Sequence, residues 1–144
     1  MIYTEQTKKA LRIAFDAHKE QVDKTGLPYT FHPFHLAEQM KDEISTCVAL
    51  LHDVVEDTDY TFEDLAAGGL SSEVIDVLRL LTHAEETTYS EYIQRIKDSG
   101  NAVAIAVKLA DLRHNSDETR LDCVDEKMSI LLERYRAAIN TLYK

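Results

Sequence analysis

The chain has 144 residues, 44% of them hydrophobic and 29% charged, with a formal net charge of −10 at pH 7. This composition excludes a disordered chain and indicates one globular domain, residues 1–144, with a sizeable core. The negative charge argues against a nucleic-acid-binding surface, and no apolar run approaches the roughly 20 residues of a membrane-spanning helix. Cys47 and Cys123 do not form a C-x-x-C pair, so we expect reduced thiols and a cytoplasmic location. The sequence leaves the oligomeric state open.

Hydrophobic residues recur with helical spacing, and no alternating strand pattern persists, so we predict an all-α fold. Val22 is expected to continue the apolar face of the first helix before residues 25–28 break it. His32 precedes a proline, which disfavours helical backbone and predicts a loop-to-helix junction. Thr61 and Asp64 have the spacing of a capping box. To within a few residues, the expected helices cover residues 4–24, 33–40, 44–56, 61–67, 74–81, 92–98, 102–115 and 128–142.

The end of the third predicted helix carries an unusual density of polar groups. His52, Asp53, Glu56 and Asp57 directly follow the apolar run of residues 48–51. In a continuous helix, His52 shares a face with Glu56, and Asp53 shares a face with Asp57. Burying so much charge is costly unless the groups are paired or bind a cation. We therefore predict a chemical site here; the alternative for Glu56 and Asp57 is a solvated helix end.

A second polar cluster ends the helix predicted over residues 102–115, which is expected to be central and buried. Lys108, Asp111 and Asn115 are spaced by three and four residues and therefore share one face, with His114 close to it. A lone aspartate at this position would most often be an ordinary polar residue at a helix end. An aspartate on one stripe with a lysine and an asparagine is more typical of a functional site.

These segments together supply a candidate set of metal ligands: His32, His52, Asp53 and Asp111. Two imidazoles and two carboxylates suit Mn²⁺, Fe²⁺, Co²⁺ or Zn²⁺ better than Mg²⁺ or Ca²⁺. Ligands that come from three separate segments are typical of a catalytic site with positions open for water and substrate.

Four short blocks of sequence follow one another between about residue 10 and residue 120. They are His18-x-x-Gln21, Gly26-x-Pro28-Tyr29-x-x-His32-Pro33, Leu51-His52-Asp53-Val54-Val55-Glu56-Asp57-Thr58 and Lys108-Leu109-Ala110-Asp111-x-x-His114-Asn115. In this order they resemble the HD-domain metal phosphohydrolases, and most of all the single-domain small alarmone hydrolases of the RelA/SpoT family. The resemblance implies a compact helical bundle of the HD type and a hydrolase domain without the synthetase domain of the longer members.

The resemblance also implies roles for individual residues. The metal ligands of the family, usually for Mn²⁺, match His32, His52, Asp53 and Asp111. The catalytic acidic pair matches Glu56 and Asp57, which would activate water and protonate the leaving oxygen. The implied activity is removal of the 3′-pyrophosphate from the anionic guanosine nucleotides ppGpp and pppGpp.

The resemblance extends to the substrate pocket, although less firmly. Asn115 matches a nucleotide-contacting position, and Lys24 matches a basic position in the substrate-binding loop. We add Lys108 to the substrate-binding set because it lies on the same helix face. Tyr29 is included as a residue that lines the pocket, with simple packing as the alternative.

One position departs from the family. Asp23 stands where alarmone hydrolases carry an arginine that packs on the guanine base. The change removes a stacking partner worth roughly 1 kcal/mol, and the added carboxylate is expected to repel phosphates. Asp23 supports one alternative function, a phosphohydrolase for another nucleotide or phosphate ester. A second alternative is a nucleotide-binding sensor that has lost catalysis, although the complete ligand set and the pair Glu56 and Asp57 argue against it.

Overall fold

The computed structural model describes residues 1–144 and contains nine α-helices, one short 3₁₀ helix and no β-sheet, which confirms the predicted all-α fold. No helix is both long and apolar enough to cross a membrane. In chain order the helices are α1 (Glu5–His18), α2 (Phe31–Glu38), α3 (Glu43–Leu51), α4 (Val54–Asp57), α5 (Phe62–Ala67), α6 (Ser72–Leu80), α7 (Tyr89–Ser99), α8 (Ala102–Asn115), the 3₁₀ helix (Glu118–Arg120) and α9 (Glu126–Tyr143).

Side-chain caps determine where several helices begin. The Thr4 hydroxyl accepts the N–H of Thr7 over 3.1 Å at the start of α1. At the start of α5, Thr61 and Asp64 accept each other's backbone N–H groups, which confirms the predicted capping box. Gly100 ends α7 with a φ of +64°, a left-handed conformation that glycine adopts without strain.

The centre of the fold is α3. All residues from Ser45 to Leu51 are buried, and the helix packs against α1, α2, α6 and α8. We expected α8 to be the central buried helix, but it buries only one face, while Ala106 on the opposite side is exposed. The physical reason is position: α8 packs against α2, α3, α6, α7 and α9 but leaves one side to solvent, whereas α1, α2, α6 and α8 together cover α3.

Two predicted helix boundaries were wrong. Helix α1 ends at His18, and Val22 lies outside it, exposed and bridged to Pro28. Helix α2 begins at Phe31, so His32 lies in its first turn rather than in the loop before it. Proline is compatible with this first turn because backbone N–H groups there have no partner within the helix.

The single helix predicted over residues 44–56 is divided into α3 and α4. His52 and Asp53 form the break, where Asp53 has φ of −106° and ψ of −4°. The hydrogen bond from Asp57 N–H to the Asp53 carbonyl, 2.9 Å, restores helical pitch directly afterwards. Hydrophobic spacing therefore continues across the break, and periodicity alone gave no sign of it. The break turns both side chains toward the interior of the bundle.

Candidate metal centre

The four predicted metal ligands converge at one place in the bundle. His32 comes from α2, His52 and Asp53 from the break between α3 and α4, and Asp111 from α8. Nε2 of His32 lies 2.9 Å from Oδ1 of Asp111. Nε2 of His52 lies 3.1 Å from Oδ2 of Asp53 and 3.6 Å from Oδ1 of Asp111. Ligand atoms of His32, His52 and Asp53 all lie within 4.8 Å of one another.

The residues present fit a divalent cation. Nδ1 of His52 lies 2.8 Å from the Ala49 carbonyl, which makes Nδ1 a hydrogen-bond donor and directs Nε2 toward the carboxylates. That Nε2 is buried and has no hydrogen-bond partner, although carboxylate oxygens of Asp53 and Asp111 face it. Burial opposes protonation of His52, but the carboxylates of Asp53 and Asp111 raise its pKa well above the usual value, so the site favours a positive charge at Nε2, which a bound cation would supply in place of a proton. Two nitrogen and two oxygen donors are a suitable set for a transition metal.

Asp111 is the most heavily supported member of the cluster. Lys108 donates to its Oδ2 and Asn115 to its Oδ1, each over 2.9 Å. Burial opposes ionisation, but the Lys108 ammonium and the imidazoles of His32 and His52 hold the pKa of Asp111 well below its usual range. Two residues predicted to bind substrate thus direct their polar groups to a predicted metal ligand, as their shared helix face allows.

His32 also contacts the imidazole of His114, a contact that was not predicted from the sequence. Its Nδ1 lies 2.6 Å from Nδ1 of His114, and the two nearly parallel rings meet edge to edge with centroids 4.9 Å apart. Burial, followed by the charges of His32 and Arg120, lowers the pKa of His114 to about 4. A neutral His114 can accept the Nδ1 proton of His32, which directs Nε2 of His32 to Oδ1 of Asp111 at the proposed metal position. The three-residue spacing between Asp111 and His114 is the feature of the sequence that could have indicated that His114 lies near the site.

Tyr29 lies inside the centre. Its hydroxyl donates a hydrogen bond to Oδ2 of Asp53, and burial, together with that carboxylate, raises the pKa of the phenol. The ring lies between His18, with centroids 4.7 Å apart, and His32, with centroids 5.7 Å apart. Of the two readings left open for Tyr29, its hydroxyl on Asp53 favours a role at the site over simple packing.

The acidic pair lies on α4, at the exposed side of the cluster. Carboxylate oxygens of Asp53, Glu56 and Asp57 lie within 4.8 Å of one another. Glu56 accepts the backbone N–H of His83 over 2.6 Å, which fixes its direction. Burial, then the charges of Asp53 and Glu56, raises the pKa of Asp57 to about 6. Asp57 also lines an open cleft of about 350 Å³.

The loop between α1 and α2 covers the carboxyl end of α8. Nζ of Lys24 lies 3.3 Å from the Asn115 carbonyl and 5.1 Å from the centroid of the Tyr135 ring. Asp23 pairs with Arg120 over 3.1 Å. The expectation that its carboxylate would act as an uncompensated negative charge toward phosphates was therefore wrong, because a guanidinium neutralises it.

No protein-family model matches the chain. Among curated proteins, a probable guanosine-3′,5′-bis(diphosphate) 3′-pyrophosphohydrolase of Synechocystis is 32% identical over 122 residues, which cover 74% of this chain and 16% of that protein. The bifunctional (p)ppGpp synthase/hydrolase SpoT of Escherichia coli is 31% identical over 122 residues, which cover 75% and 17%. An Aquifex aeolicus guanosine-3′,5′-bis(diphosphate) 3′-pyrophosphohydrolase is 42% identical over 67 residues, which cover 44% of this chain and 10% of that protein.

The chain thus spans about a sixth or less of the length of these relatives. Among solved structures, one described as a metazoan ortholog of SpoT that hydrolyses ppGpp superimposes with a TM-score of 0.78. The match covers 99% of this chain and 88% of that one at 22% identity, so it shows a shared fold. These matches confirm the resemblance predicted from the four sequence blocks.

Proposed function

We propose that this chain, a relative of the guanosine-3′,5′-bis(diphosphate) 3′-pyrophosphohydrolases of the RelA/SpoT family, is itself a metal-dependent hydrolase that removes the 3′-pyrophosphate of ppGpp. One observation carries the proposal. The buried, unpartnered Nε2 of His52 faces the carboxylates of Asp53 and Asp111 beside an acidic pair, Glu56 and Asp57. Residues 1–144 would act as one hydrolase domain, in the cytoplasm.

His32, His52, Asp53 and Asp111 would hold the metal, which we propose to be Mn²⁺, with other divalent transition metals as substitutes. When bound, the cation supplies positive charge that stabilises the charge developing on the attacked phosphoryl group. His114 and the Ala49 carbonyl orient the two imidazoles, and Lys108 keeps Asp111 ionised.

Glu56 and Asp57 would divide the proton transfers between them. Glu56, held by the His83 N–H, accepts a proton from the attacking water. At the same time the water oxygen forms a bond to the phosphorus next to the 3′-oxygen. The bond between that phosphorus and the 3′-oxygen breaks, and Asp57 donates a proton to the departing oxygen. A pKa of about 6 lets Asp57 hold that proton near neutral pH better than an ordinary aspartate would.

The substrate would lie across the exposed side of the cluster. Lys24 and Asn115 meet at the carboxyl end of α8, where an ammonium and an amide can bind the anionic nucleotide. Lys108 would contribute indirectly, through its hydrogen bond to Asp111. Tyr29, hydrogen-bonded to Asp53, would line the substrate pocket.

The test is hydrolysis of ppGpp by the purified protein with Mn²⁺, followed by detection of GDP and pyrophosphate. The control variant is Glu56→Gln, which retains the four proposed ligands. Release of pyrophosphate by the wild type alone supports the proposal. No release at saturating metal and substrate contradicts it.

A second candidate is hydrolysis of another nucleotide or phosphate ester. Asp23, in place of the guanine-stacking arginine, favours it, because that carboxylate and its Arg120 partner offer the base no free cation. A panel of nucleotides assayed beside ppGpp separates the two candidates. A nucleotide-binding sensor would bind members of the panel without releasing product.

A further inference from the structure

The connection between α1 and α2, residues 19–30, is a tightly folded loop. The N–H of Asp23 donates to the Leu27 carbonyl over 2.8 Å, and the N–H of Gly26 donates to the Asp23 carbonyl over 3.0 Å. Gly26 has a φ of +85°, which residues other than glycine rarely adopt. The loop therefore presents Lys24 in a defined direction.

The Asp23 carboxylate is fully engaged within the protein. Its Oδ1 accepts the Thr25 N–H over 2.8 Å, the Thr25 hydroxyl over 2.5 Å and the Leu27 N–H over 3.1 Å. Its Oδ2 accepts Nη2 of Arg120, and the Asp23 and Arg120 side chains are only 9% and 15% exposed. Burial opposes ionisation, but these hydrogen bonds keep the pKa of Asp23 below its usual value. The carboxylate is therefore a structural anion.

Arg120 ties this loop to a helix that lies far away in sequence. It stands 97 residues from Asp23, and its Nη1 donates to the His114 carbonyl over 2.6 Å. Lys24 donates to the next carbonyl, that of Asn115, over 3.3 Å. These carbonyls lie at the carboxyl end of α8, which carries partial negative charge. The loop is thus held to α8 twice, once by Lys24 directly and once by Asp23 through Arg120.

We infer that the Asp23–Arg120 ion pair positions the loop so that the Lys24 ammonium stands where the substrate phosphates bind. The inference rests on the proposed function, which gives neither Asp23 nor Arg120 a part. Arg120 is then a positioning residue. The negative charge of Asp23 holds the loop in place and does not take part in binding the nucleotide base.

Loss of either partner leaves a mostly buried charge without its counter-ion. In Arg120→Ala, the Oδ1 hydrogen bonds of Asp23 survive but the tie to α8 is lost. In Asp23→Arg, two guanidinium groups meet and the loop loses its caps. Neither Asp23 nor Arg120 is hydrogen-bonded to any of the four proposed metal ligands, so both variants are compared with the wild type at saturating Mn²⁺. Binding of phosphates should therefore weaken while the chemical step is retained.

The decisive measurement is steady-state hydrolysis of ppGpp with Mn²⁺ by the wild type, both single variants and the reversed pair, Asp23→Arg with Arg120→Asp. We expect Arg120→Ala to raise KM roughly tenfold, with kcat within about twofold of the wild type. Asp23→Arg should raise KM at least as much. The reversed pair should have a lower KM than Asp23→Arg, because the attraction is restored. A reversed pair whose KM equals or exceeds that of Asp23→Arg would overturn the inference.

The matched control is Arg136→Ala, which breaks the exposed 3.5 Å ion pair with Glu118 in the same 3₁₀ segment. Its KM should equal that of the wild type. An equal rise of KM in this control overturns the inference. So does a fall of kcat without a change of KM in Arg120→Ala, since a purely structural pair would reduce only the folded, active fraction.

Proteolysis tests the loop without reference to catalysis. Endoproteinase Lys-C cuts after lysine, and mass spectrometry measures the rate of cleavage after Lys24 in the native protein. We expect this rate to rise about tenfold in Arg120→Ala and to stay unchanged in Arg136→Ala. If the wild type does not hydrolyse ppGpp, the proposed function fails while this measurement still stands. Equal cleavage rates in Arg120→Ala and the wild type overturn the inference whatever the activity.

Discussion

His32 and His114 meet through their Nδ1 atoms, 2.6 Å apart, with ring planes inclined by only 11°. Two imidazole nitrogens at this distance share one proton. Because burial lowers the pKa of His114 to about 4, His114 is neutral near pH 7, and its Nδ1 can act as the acceptor. The pair therefore sets the tautomer that the proposed ligand His32 needs.

Loss of the His114 acceptor should weaken metal binding. We expect His114→Phe, which keeps an aromatic ring in the stack, to raise the Kd for Mn²⁺ by about 10- to 100-fold. Isothermal titration of the metal-free protein measures this. His35→Phe is the matched control, because His35 stacks on His114 with centroids 4.2 Å apart but has no hydrogen bond to a proposed ligand. Equal affinities in His114→Phe and the wild type would return His114 to a packing role.

The purified protein should bind one divalent transition-metal ion per chain, which follows from the convergence of four donors on one point. His52→Ala and Asp111→Asn should each lose most of that metal, as measured by elemental analysis after dialysis. Circular dichroism checks that both variants are folded. Full occupancy in both variants would refute the ligand assignment.

Glu56→Gln and Asp57→Asn should keep the metal and lose hydrolysis. Each group is expected to contribute about 10²- to 10⁴-fold to the rate, the usual range for acid–base catalysts. The rates are measured with ppGpp at matched metal content. Turnover at the wild-type level in a metal-loaded variant would mean that these carboxylates are a solvated helix end.

Asp57→Asn should also stabilise the metal-free protein at neutral pH. The folded-state pKa of about 6 exceeds the value of 3.8 for an unperturbed aspartate, so ionisation of Asp57 opposes folding. The free-energy penalty for ionising Asp57 in the folded protein is absent below the unfolded-state pKa of 3.8. It grows between pH 3.8 and about pH 6 and is complete above the folded-state pKa. Solvent screens this exposed carboxylate, so we expect only part of the penalty, a rise in Tm of about 3 °C, or about 1 kcal/mol, at about pH 8.

Thermal denaturation of the two proteins at about pH 8 and at about pH 3, which is below both pKa values, measures the effect. The difference in Tm should vanish at the lower pH, where the carboxyl group is protonated in both states. A destabilised Asp57→Asn at the higher pH would show that the charge is compensated within the folded protein.

Local patterns in the sequence predicted most of the helices and their ends. Residues 102–115 were predicted as a helix and form α8, and the capping box of Thr61 and Asp64 starts α5 as expected. Apolar spacing and capping depend on residues within a turn or two of one another, which a single sequence displays directly. The predicted relationship to alarmone hydrolases rests on ordered motifs and is equally visible in the sequence.

The tertiary structure decided how these motifs are used. The contact of His52 with Asp111, the proton shared by His32 and His114, and the pairing of Asp23 with Arg120 all depend on partners that lie far apart in sequence. The sequence does not show whether an ionisable side chain is solvated or neutralised by a neighbouring charge. The sequence by itself determined which groups are available, and only the packing of α2, α8 and the α1–α2 loop decided which charges meet.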